Sequence, residues 1–283
     1  MSTASSGVPN RTGSAKRRRR PKNPEGRMRL AEHLIEFRNR FIVSVIAIVV
    51  GMIAGFILTG PVLDAIRVPI EQLASARAGG VSINFPNVTS AFDIRMQMAL
   101  TIGIVIAAPV WLYEIWMFLM PGLKKNERRY ALGFLGAAVP LFLAGCLTGW
   151  FIMPRIVEVM ASFAPVQDTV FFDAKYYYSF VLNLCLAVGI AYVVPVVLVM
   201  LNFAGVIMGK TILKGWRGAV LVVAIFAAMA TPAADVLSMF LLMVPMIVLY
   251  FLAVGVCMLN DRRRAKRQRA FEEELNAGVV SSL

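Results

Sequence analysis

Residues 41–59 read FIVSVIAIVVGMIAGFILT, a run of 19 residues that contains no charged side chain. As an α-helix this run would be about 28 Å long, close to the roughly 30 Å of hydrocarbon that a spanning helix has to cross. Three further apolar runs of comparable length follow it, at residues 96–120, 130–153 and 178–203. The sequence therefore predicts an integral membrane protein whose spanning segments are α-helices.

The last apolar run, residues 218–259, is too long for one spanning helix and barely long enough for two. Pro232 and Asp235 interrupt it, a helix-breaking residue followed by the only charge in the run. We therefore predict a short fifth helix over residues 218–230, about 20 Å long, and a longer sixth helix. The predicted fold class is all-α, with six transmembrane helices of which the fifth and sixth are short or offset.

Composition agrees with this prediction and narrows the possible functions. Apolar residues make up 59% of the 283 residues, where roughly 45–50% is usual for soluble domains, and only 16% are charged. A nucleic-acid-binding surface is excluded, because Lys and Arg are concentrated at the chain ends and in short gaps between apolar runs. One histidine and three cysteines without ligand spacing predict no metal site, and no cofactor motif is present.

Six spans place both chain ends on the same side of the membrane. That side carries 24 of the 29 Lys and Arg residues and the other carries 5, so the positive-inside rule predicts cytoplasmic N and C termini. A five-span alternative would place the basic stretch at residues 262–267 outside, against this rule. Residues 1–28 are predicted to be a disordered basic cytoplasmic tail, 29–259 the six-span membrane domain, and 260–283 a charged cytoplasmic tail.

Two patterned polar segments lie on the predicted cytoplasmic side. Residues 29–40, RLAEHLIEFRNR, have an apolar helical stripe, and Glu36 stands four residues before Arg40, the favourable order for an ion pair. In residues 120–129, MPGLKKNERR, Glu127 is surrounded by four cations and suits a helix N-terminus. The cations of both segments are interpreted as anchors for lipid headgroups. Each segment also has a purely structural explanation, a solvated helix face and a capped helix start.

The order of these motifs resembles the TatC family, the central subunit of the twin-arginine protein translocase. The family's opening H-L-x-E-L-R-x-R is similar to residues 33–40, HLIEFRNR. Further matches follow in register over about residues 30–259: Ala108-Pro109-Val110, Trp116-x-Phe118-x-x-Pro121-Gly122-Leu123, Glu127-Arg128-Arg129, Val194-Pro195-Val196, Thr231-Pro232 with Asp235, and Val244-Pro245-Met246. The resemblance implies the six-span plan and a receptor for folded cargo whose signal peptide carries two adjacent arginines.

The resemblance also implies which residues bind the signal peptide. Glu36 and Glu127 stand where the family places its signal-binding carboxylates. Carboxylates suit arginine, because a guanidinium pairs with them bidentately and keeps its charge. Phe118 and Pro121 match positions beside this site, and Arg38 belongs to the opening motif. Phe118 could instead be an interfacial aromatic residue.

Other candidate residues lie outside the matched carboxylate positions. Glu114 is one turn before Phe118 and could either add a third carboxylate or reach towards water, and we expect the second. On the outer side, Pro69 and Phe92 match family positions along the translocation path. The run Tyr176-Tyr177-Tyr178 is expected to form part of an aromatic belt at the membrane interface.

The partners also follow from the resemblance. They are TatA-type and TatB-type single-span subunits near the fifth and sixth helices, where Asp235 either caps a helix or also contacts a partner. We expect several copies of this chain in one complex in the plasma membrane, surrounded by lipid. Many relatives carry a glutamate before the proline matching Pro195, whereas this chain has Val193 and Val194 there. The proton-motive force would supply the energy, since no nucleotide motif is present.

Two other functional classes fit the sequence less well. A secondary transporter usually has inverted repeats and polar groups at mid-depth, and we find no convincing repeat and almost no mid-depth charge. An intramembrane enzyme would need a histidine beside a nucleophile, whereas the single histidine, His33, lies at the cytoplasmic side. We therefore expect a translocase subunit that is not an enzyme.

Overall fold

The computed structural model describes residues 30–76, 80–119, 128–163, 165, 169–231 and 236–280. Within these residues the chain forms eight helices and two short strands. In chain order they are α1 (Leu30–Ala76), β1 (Val81–Asn84), α2 (Ser90–Ile106), α3 (Ala108–Leu119), α4 (Arg128–Ser162), β2 (Val170–Asp173), α5 (Ala174–Phe203), α6 (Gly209–Lys214), α7 (Trp216–Ala230) and α8 (Val236–Val280). The prediction of a helical membrane protein is confirmed, with one small strand pair added. The tail predicted at residues 1–28 lies outside the described residues.

Four helices, α1, α4, α5 and α8, are long and apolar enough to cross a membrane. The α2 and α3 helices together make a fifth candidate, although the chain bends by 60° between them. The α7 helix is also apolar but has only 15 residues, about 22 Å of helix, in agreement with the short fifth segment expected from the sequence. The described residues therefore contain four or five full-length candidate spans and one helix shorter than the hydrocarbon core.

The sequence predicts one helix over residues 96–120, and the structure divides this segment at Ala107. Pro109 is the second residue of α3, and its missing N–H interrupts the hydrogen-bond ladder of α2. The Trp111 indole Nε1 donates back across the break to the Ile104 carbonyl at 2.9 Å, which satisfies a backbone acceptor near the end of α2. The axis of α3 is turned by 60° from that of α2, so the break at the proline sets the direction in which α3 and its side chains run.

The α1 and α8 helices continue well past the predicted spans. The α1 helix has 47 residues and runs through Pro61 and Pro69 to Ala76, instead of ending near residue 59. The α8 helix has 45 residues and continues beyond residue 259 through the charged tail. At 1.5 Å per residue both helices are about 70 Å long, roughly twice the hydrocarbon thickness. Each must therefore project beyond a membrane that it crosses.

Glycines bring the backbone of α1 against α2 and that of α4 against α5. A Cβ placed on Gly103 would lie 2.6 Å from the Met52 nitrogen, and one on Gly51 would lie 2.6 Å from the Gly103 oxygen. A Cβ on Gly145 would similarly lie 2.7 Å from the Val188 carbonyl oxygen. Because lipid gives helices no hydrophobic reason to associate, close packing at small residues supplies much of the attraction.

A small strand pair lies at the end of the bundle opposite to the start of α1. The β1 strand pairs with β2 in parallel, from Val81 opposite Val170 to Asn84 opposite Asp173. The Asp173 carboxylate also caps α5, since it accepts a hydrogen bond from the Tyr176 backbone nitrogen at 3.0 Å. The pair therefore ties the segment after α1 to the start of α5.

The three tyrosines at the start of α5 do not form one aromatic belt. Tyr176 is 76% exposed, but Tyr177 and Tyr178 are 4% and 0% exposed. The Tyr177 hydroxyl donates to the Ile66 carbonyl at 2.9 Å, and the Tyr178 hydroxyl accepts from Arg67 Nε at 2.9 Å. The expected interface belt is wrong for these two tyrosines, because α1 supplies each buried hydroxyl with a partner inside the fold.

Candidate functional site

Three charged side chains meet near the N-terminal end of α1. Arg40 donates through Nε at 3.0 Å and Nη2 at 2.5 Å to Oε1 of Glu36 on the same helix. Its Nη1 donates to Oε2 of Glu114 on α3 at 3.0 Å. The side chains of Arg40, Glu36 and Glu114 are 21%, 21% and 15% exposed. We call these three residues the acidic cluster, because two carboxylates share one guanidinium.

The acidic cluster is assembled from two distant parts of the chain. Glu36 and Arg40 lie one turn apart on α1 and form the ion pair that their spacing predicts. Glu114 lies 74 residues after Arg40 and reaches it because α3 packs against α1 beyond the bend. Glu114 therefore pairs with Arg40 and does not reach towards water as expected, and its role as a third carboxylate of a binding site stays a prediction.

An aromatic wall borders the acidic cluster, formed by His33, Phe37 and Phe118. Phe118 lies one turn after Glu114 and stacks on His33, with ring centroids 4.4 Å apart and planes at 17°. Phe37 packs against Phe118 at 5.2 Å and against Phe41 at 5.9 Å. The single histidine of the chain thus packs against a ring. Across the described ranges, no group of His, Cys, Asp and Glu could hold a metal ion.

Partial burial strengthens the attraction between the opposite charges of the acidic cluster. Exposed ion pairs contribute only about 0–1 kcal/mol, because water screens them. With roughly a fifth of each side chain exposed, these charges attract one another more strongly, and each carboxylate has lost hydration that only a partner can replace. Two carboxylates and one guanidinium carry a formal charge of −1 together, so the cluster attracts a further cation.

The structure brings together only some of the site residues predicted from the sequence. Glu36 and Phe118 lie at the acidic cluster and the aromatic wall. Arg38 is exposed instead and donates to the neighbouring Asn39 Oδ1 at 3.5 Å. Three predicted residues lie outside the described part of the chain: Pro121, Glu127 and Asp235.

Sequence reasoning missed two members of the acidic cluster. It treated Arg40 as an anchor for headgroups, and it expected Glu114 to face water. The signal for Glu114 was its spacing, since a residue four positions before Phe118 shares a helix face with it. For Arg40 the spacing signalled only the pair with Glu36, because only the approach of α3 joins its guanidinium to a second carboxylate.

The two candidate residues that the sequence assigns to the outer side lie far from the acidic cluster. Pro69 is inside α1, 29 residues after Arg40, which corresponds to about 43 Å of helix. It lines a cavity of about 210 Å³ together with Pro154 and Glu158 of α4. Phe92 is exposed near the start of α2. Neither residue contributes to the acidic cluster, and their place on a translocation path stays a prediction.

Long apolar helices with a largely buried charge cluster at one end define a multi-pass membrane protein of the helical class. Its site combines carboxylates with aromatic rings, which suits a cationic group attached to an apolar segment. The family model of the Sec-independent protein translocase protein (TatC) matches residues 32–245. The chain belongs to the TatC family, and it is accordingly a component of the Sec-independent protein translocase.

Individual relatives and solved structures agree with this assignment. The Sec-independent protein translocase protein TatC of Rothia mucilaginosa is 39% identical over 270 residues, covering 93% of this chain and 92% of the relative. The protein of the same name from Xylanimonas cellulosilytica is 42% identical over 241 residues, covering 85% and 87%. The fold is similar to the crystal structure of the twin-arginine translocase receptor TatC in DDM, with a TM-score of 0.70 and 28% identity over 80% of this chain and 99% of that one. The resemblance drawn from the sequence motifs is confirmed.

Proposed function

We propose that this chain is the receptor subunit of the twin-arginine translocation system. It binds the twin-arginine signal peptides of folded cargo. With TatA-type and TatB-type subunits it exports that cargo across the plasma membrane, using the proton-motive force. The observation that carries the proposal is the acidic cluster, in which largely buried carboxylates from two separate helices already hold one guanidinium.

The chemistry of the acidic cluster favours arginine over lysine as the ligand. Arg40 contacts Glu36 and Glu114 at the same time, because its planar group presents nitrogens in several directions. A lysine ammonium is a compact and strongly hydrated point charge that loses more hydration on entering a site this buried. A signal peptide with paired arginines therefore suits the cluster better than one with paired lysines.

Arg40 and the ligand compete for the same carboxylates. The side chain of Arg40 occupies one oxygen of Glu36 and one of Glu114. An incoming arginine replaces these bonds or uses the remaining oxygens, so the exchange of one guanidinium for another costs little in lost hydrogen bonds. By the family resemblance, Glu127 is the further carboxylate of the proposed site, and Pro121 and Arg38 are the remaining residues that we assign to it.

The aromatic wall gives the ligand a second point of attachment. Phe37 of the wall and the adjoining Phe41 are each about half exposed on α1, and Phe118 packs against Phe37 from α3. Signal peptides carry an apolar stretch after their charged start, and this stretch would pack on the exposed rings. Neighbouring cations repel any ligand that brings charge alone, so binding requires both the arginines and the apolar stretch.

The proposed topology has six spans with both termini in the cytoplasm. Its support is the distribution of Lys and Arg, 24 on one side against 5 on the other, and the apolar α7 helix as a short fifth span. A span of about 22 Å thins the bilayer or leaves its end below the surface, where a partner helix can contact it. We place the TatA-type and TatB-type subunits at α7 and α8, beside Asp235, in a complex that holds several copies of this chain.

Peptide binding to the purified full-length chain tests the receptor proposal. We expect a twin-arginine signal peptide to bind more tightly than its twin-lysine version. Glu36→Gln and Glu114→Gln should each weaken that binding by about tenfold to a hundredfold, since each loses a charge-assisted hydrogen bond worth about 1.5–3 kcal/mol. Fluorescence anisotropy of a labelled peptide in detergent gives the dissociation constants.

A matched control is available on α4. Glu158 also pairs with an arginine on its own helix, Arg155, but both side chains are more than half exposed and lie at the other end of the bundle. Glu158→Gln should leave the dissociation constant unchanged. Equal binding of the twin-arginine peptide to the wild-type chain and to the Glu36→Gln and Glu114→Gln variants would remove the acidic cluster from the receptor site.

A further inference from the structure

A cavity of about 750 Å³ lies where α5 ends and α6 begins against α8, far from the acidic cluster in sequence. Its charged lining includes Lys210 of α6 and Arg262 and Arg264 of α8. Its apolar lining includes Ile207, Met208 and Met258. We call it the basic cavity. Neither the family assignment nor the proposed receptor site gives it a role.

The floor of the basic cavity is held by a hydrogen-bond network. Asp261 Oδ2 accepts from the Gly209 backbone nitrogen at 2.6 Å, and its Oδ1 accepts from Asn202 Nδ2 at 2.9 Å. Asn202 is buried and also accepts from Asn260 Nδ2 at 3.0 Å. The network ties the turn between α5 and α6 to α8, so the walls of the cavity keep a defined geometry.

Arg264 lies over the turn after α5. Gly205 has a φ of +79°, and a Cβ placed there would lie 3.1 Å from the Arg264 Nη1. The missing side chain therefore leaves room for the guanidinium beside the backbone. An arginine held in this position presents its donors to the cavity.

The basic cavity carries an excess of positive charge. Among the described residues, no acidic side chain forms an ion pair with Lys210, Arg262 or Arg264. Asp261 is the one carboxylate in the lining, and both of its oxygens accept the hydrogen bonds of the network. Three cations and one carboxylate leave two positive charges, so the cavity is suited to an anion.

The position of the basic cavity along α8 indicates which kind of anion it meets. The α8 helix is apolar as far as Leu259, and its charged part begins at Asp261, so the cavity lies where the helix leaves the hydrocarbon. Met208, which lines the cavity, is 72% exposed, and Val206, two residues before it in the chain, is 67% exposed. Exposed apolar side chains beside unpaired cations match a molecule with a charged head and an apolar body.

We propose that the basic cavity binds the phosphate headgroup of an anionic phospholipid of the inner leaflet. Lys210, Arg262 and Arg264 hold the phosphate, and the acyl chains lie against Val206 and Met208. A lipid suits the site better than an acidic protein segment, because the rim is apolar and lies at the boundary of the membrane. The proposal uses none of the residues of the acidic cluster, and only its assignment to the inner leaflet rests on the proposed topology.

Native mass spectrometry of the full-length chain in mixed micelles tests the lipid site. We expect phosphatidylglycerol to remain bound where phosphatidylcholine does not. The double substitution of Lys210→Ala with Arg264→Ala should weaken the retention of phosphatidylglycerol by about tenfold. Arg264→Lys, which keeps the charge, should retain most of the binding.

The matched control lies on the same helix. Arg267 and Arg269 are exposed on α8 and do not line the basic cavity. Arg267→Ala with Arg269→Ala removes the same total charge and should leave lipid retention unchanged. Equal losses in the two double variants would mean general attraction to the basic tail and would overturn the proposal.

Two soluble competitors distinguish a lipid ligand from other anionic ligands. Glycerol phosphate, a soluble anion with the same head chemistry, should displace the lipid only weakly, because it lacks acyl chains. Displacement at equal concentrations would identify a site for free phosphates, and displacement by a polyglutamate peptide would identify a site for acidic protein segments. Either result would overturn the lipid assignment. Circular dichroism of each variant verifies that the helices remain folded.

Discussion

At the scale of single residues, Arg40 has two possible effects on a ligand of the acidic cluster. Its guanidinium neutralises part of the charge of Glu36 and Glu114, which lowers the cost of keeping two carboxylates close together. It also occupies the oxygens that an incoming arginine would use. We expect the second effect to be the larger, because without Arg40 the remaining charge of −2 attracts a cation more strongly.

We therefore expect Arg40→Gln to tighten the binding of a twin-arginine peptide by about tenfold. The twin-lysine peptide should gain more. Once Arg40 is absent, both carboxylates are unpaired, and an ammonium can neutralise them as a point charge without the planar geometry of a guanidinium. Competition titration of both peptides against the purified variant measures the two changes. Arg155→Gln, which removes an exposed arginine of α4 from a similar pair, serves as the control. Weaker binding of both peptides to Arg40→Gln would show that Arg40 positions the acids and does not compete.

At the scale of helices, glycine contacts decide how closely neighbouring spans approach. A Cβ on Gly103 of α2 would lie only 2.6 Å from the Met52 nitrogen, and a Cβ on Gly51 of α1 only 2.6 Å from the Gly103 oxygen. Any side chain at these positions pushes α1 and α2 apart. The acidic cluster depends on this packing indirectly, because α3 follows α2 across the bend and contacts α1 through Glu114.

Gly103→Ala should destabilise the protein by about 1–3 kcal/mol, because the added methyl group overlaps backbone atoms that cannot move independently. Thermal unfolding in detergent, followed by circular dichroism, measures the loss. Gly136→Ala in α4 is the control, since a Cβ there would meet nothing within 4 Å and alanine favours a helix by up to about 1 kcal/mol. An equal stability change in the two variants would contradict close packing of α1 on α2.

At the scale of the whole molecule, the polar features of the structure are divided between the two ends of the helix bundle. The acidic cluster lies at the end of the bundle that holds the start of α1, and the basic cavity lies where α5 ends and α8 leaves its apolar part. The strand pair and the buried tyrosines lie at the opposite end. In the proposed topology the end with the acidic cluster and the basic cavity faces the cytoplasm, and the end with the strand pair faces outward.

Cysteine labelling in intact cells tests this topology. In the Ser82→Cys variant, the new thiol in β1 should react with a membrane-impermeant maleimide added from outside. In the Lys214→Cys variant, the new thiol in α6 should react only after the cells are opened. The parent chain is the control, since its own Cys146, Cys185 and Cys257 lie within helices and are at least partly buried. Labelling of the cysteine at Lys214 from outside would contradict the six-span arrangement with cytoplasmic termini.

Much of the helical fold could be predicted from sequence, because membrane spans leave a strong local signal. Apolar runs near 20 residues predicted the segments of α1, α4, α5 and α8, and the run from residue 218 correctly predicted that α7 is short. The break at Ala107 was missed because a proline inside an apolar run is compatible with a continuous, a kinked or a divided helix. The helical extensions of α1 and α8 carry no uninterrupted apolar run, since charged residues such as Asp64, Arg67 and Glu71 divide the first and basic residues dominate the second.

The candidate site was predictable only in part. Glu36 and Phe118 stood out because each lies in a motif with recognisable spacing, and the Glu36–Arg40 pair is local to one helix turn. The contact of Glu114 with Arg40 joins residues 74 positions apart, and spacing along the chain cannot reveal it. The same holds for Tyr177 and Tyr178, whose partners on α1 lie 111 residues away.

By itself the sequence determined that this protein is a helical membrane protein, where most of its long apolar helices lie, and which family its motifs resemble. These properties follow from the energy of placing each residue in hydrocarbon or water, and that energy depends on the local run of side chains. The tertiary structure alone decided that one guanidinium lies between two carboxylates and that unpaired cations surround a cavity. Both features arise where distant helices pack, since packing sets which charges lose water and which partner replaces it.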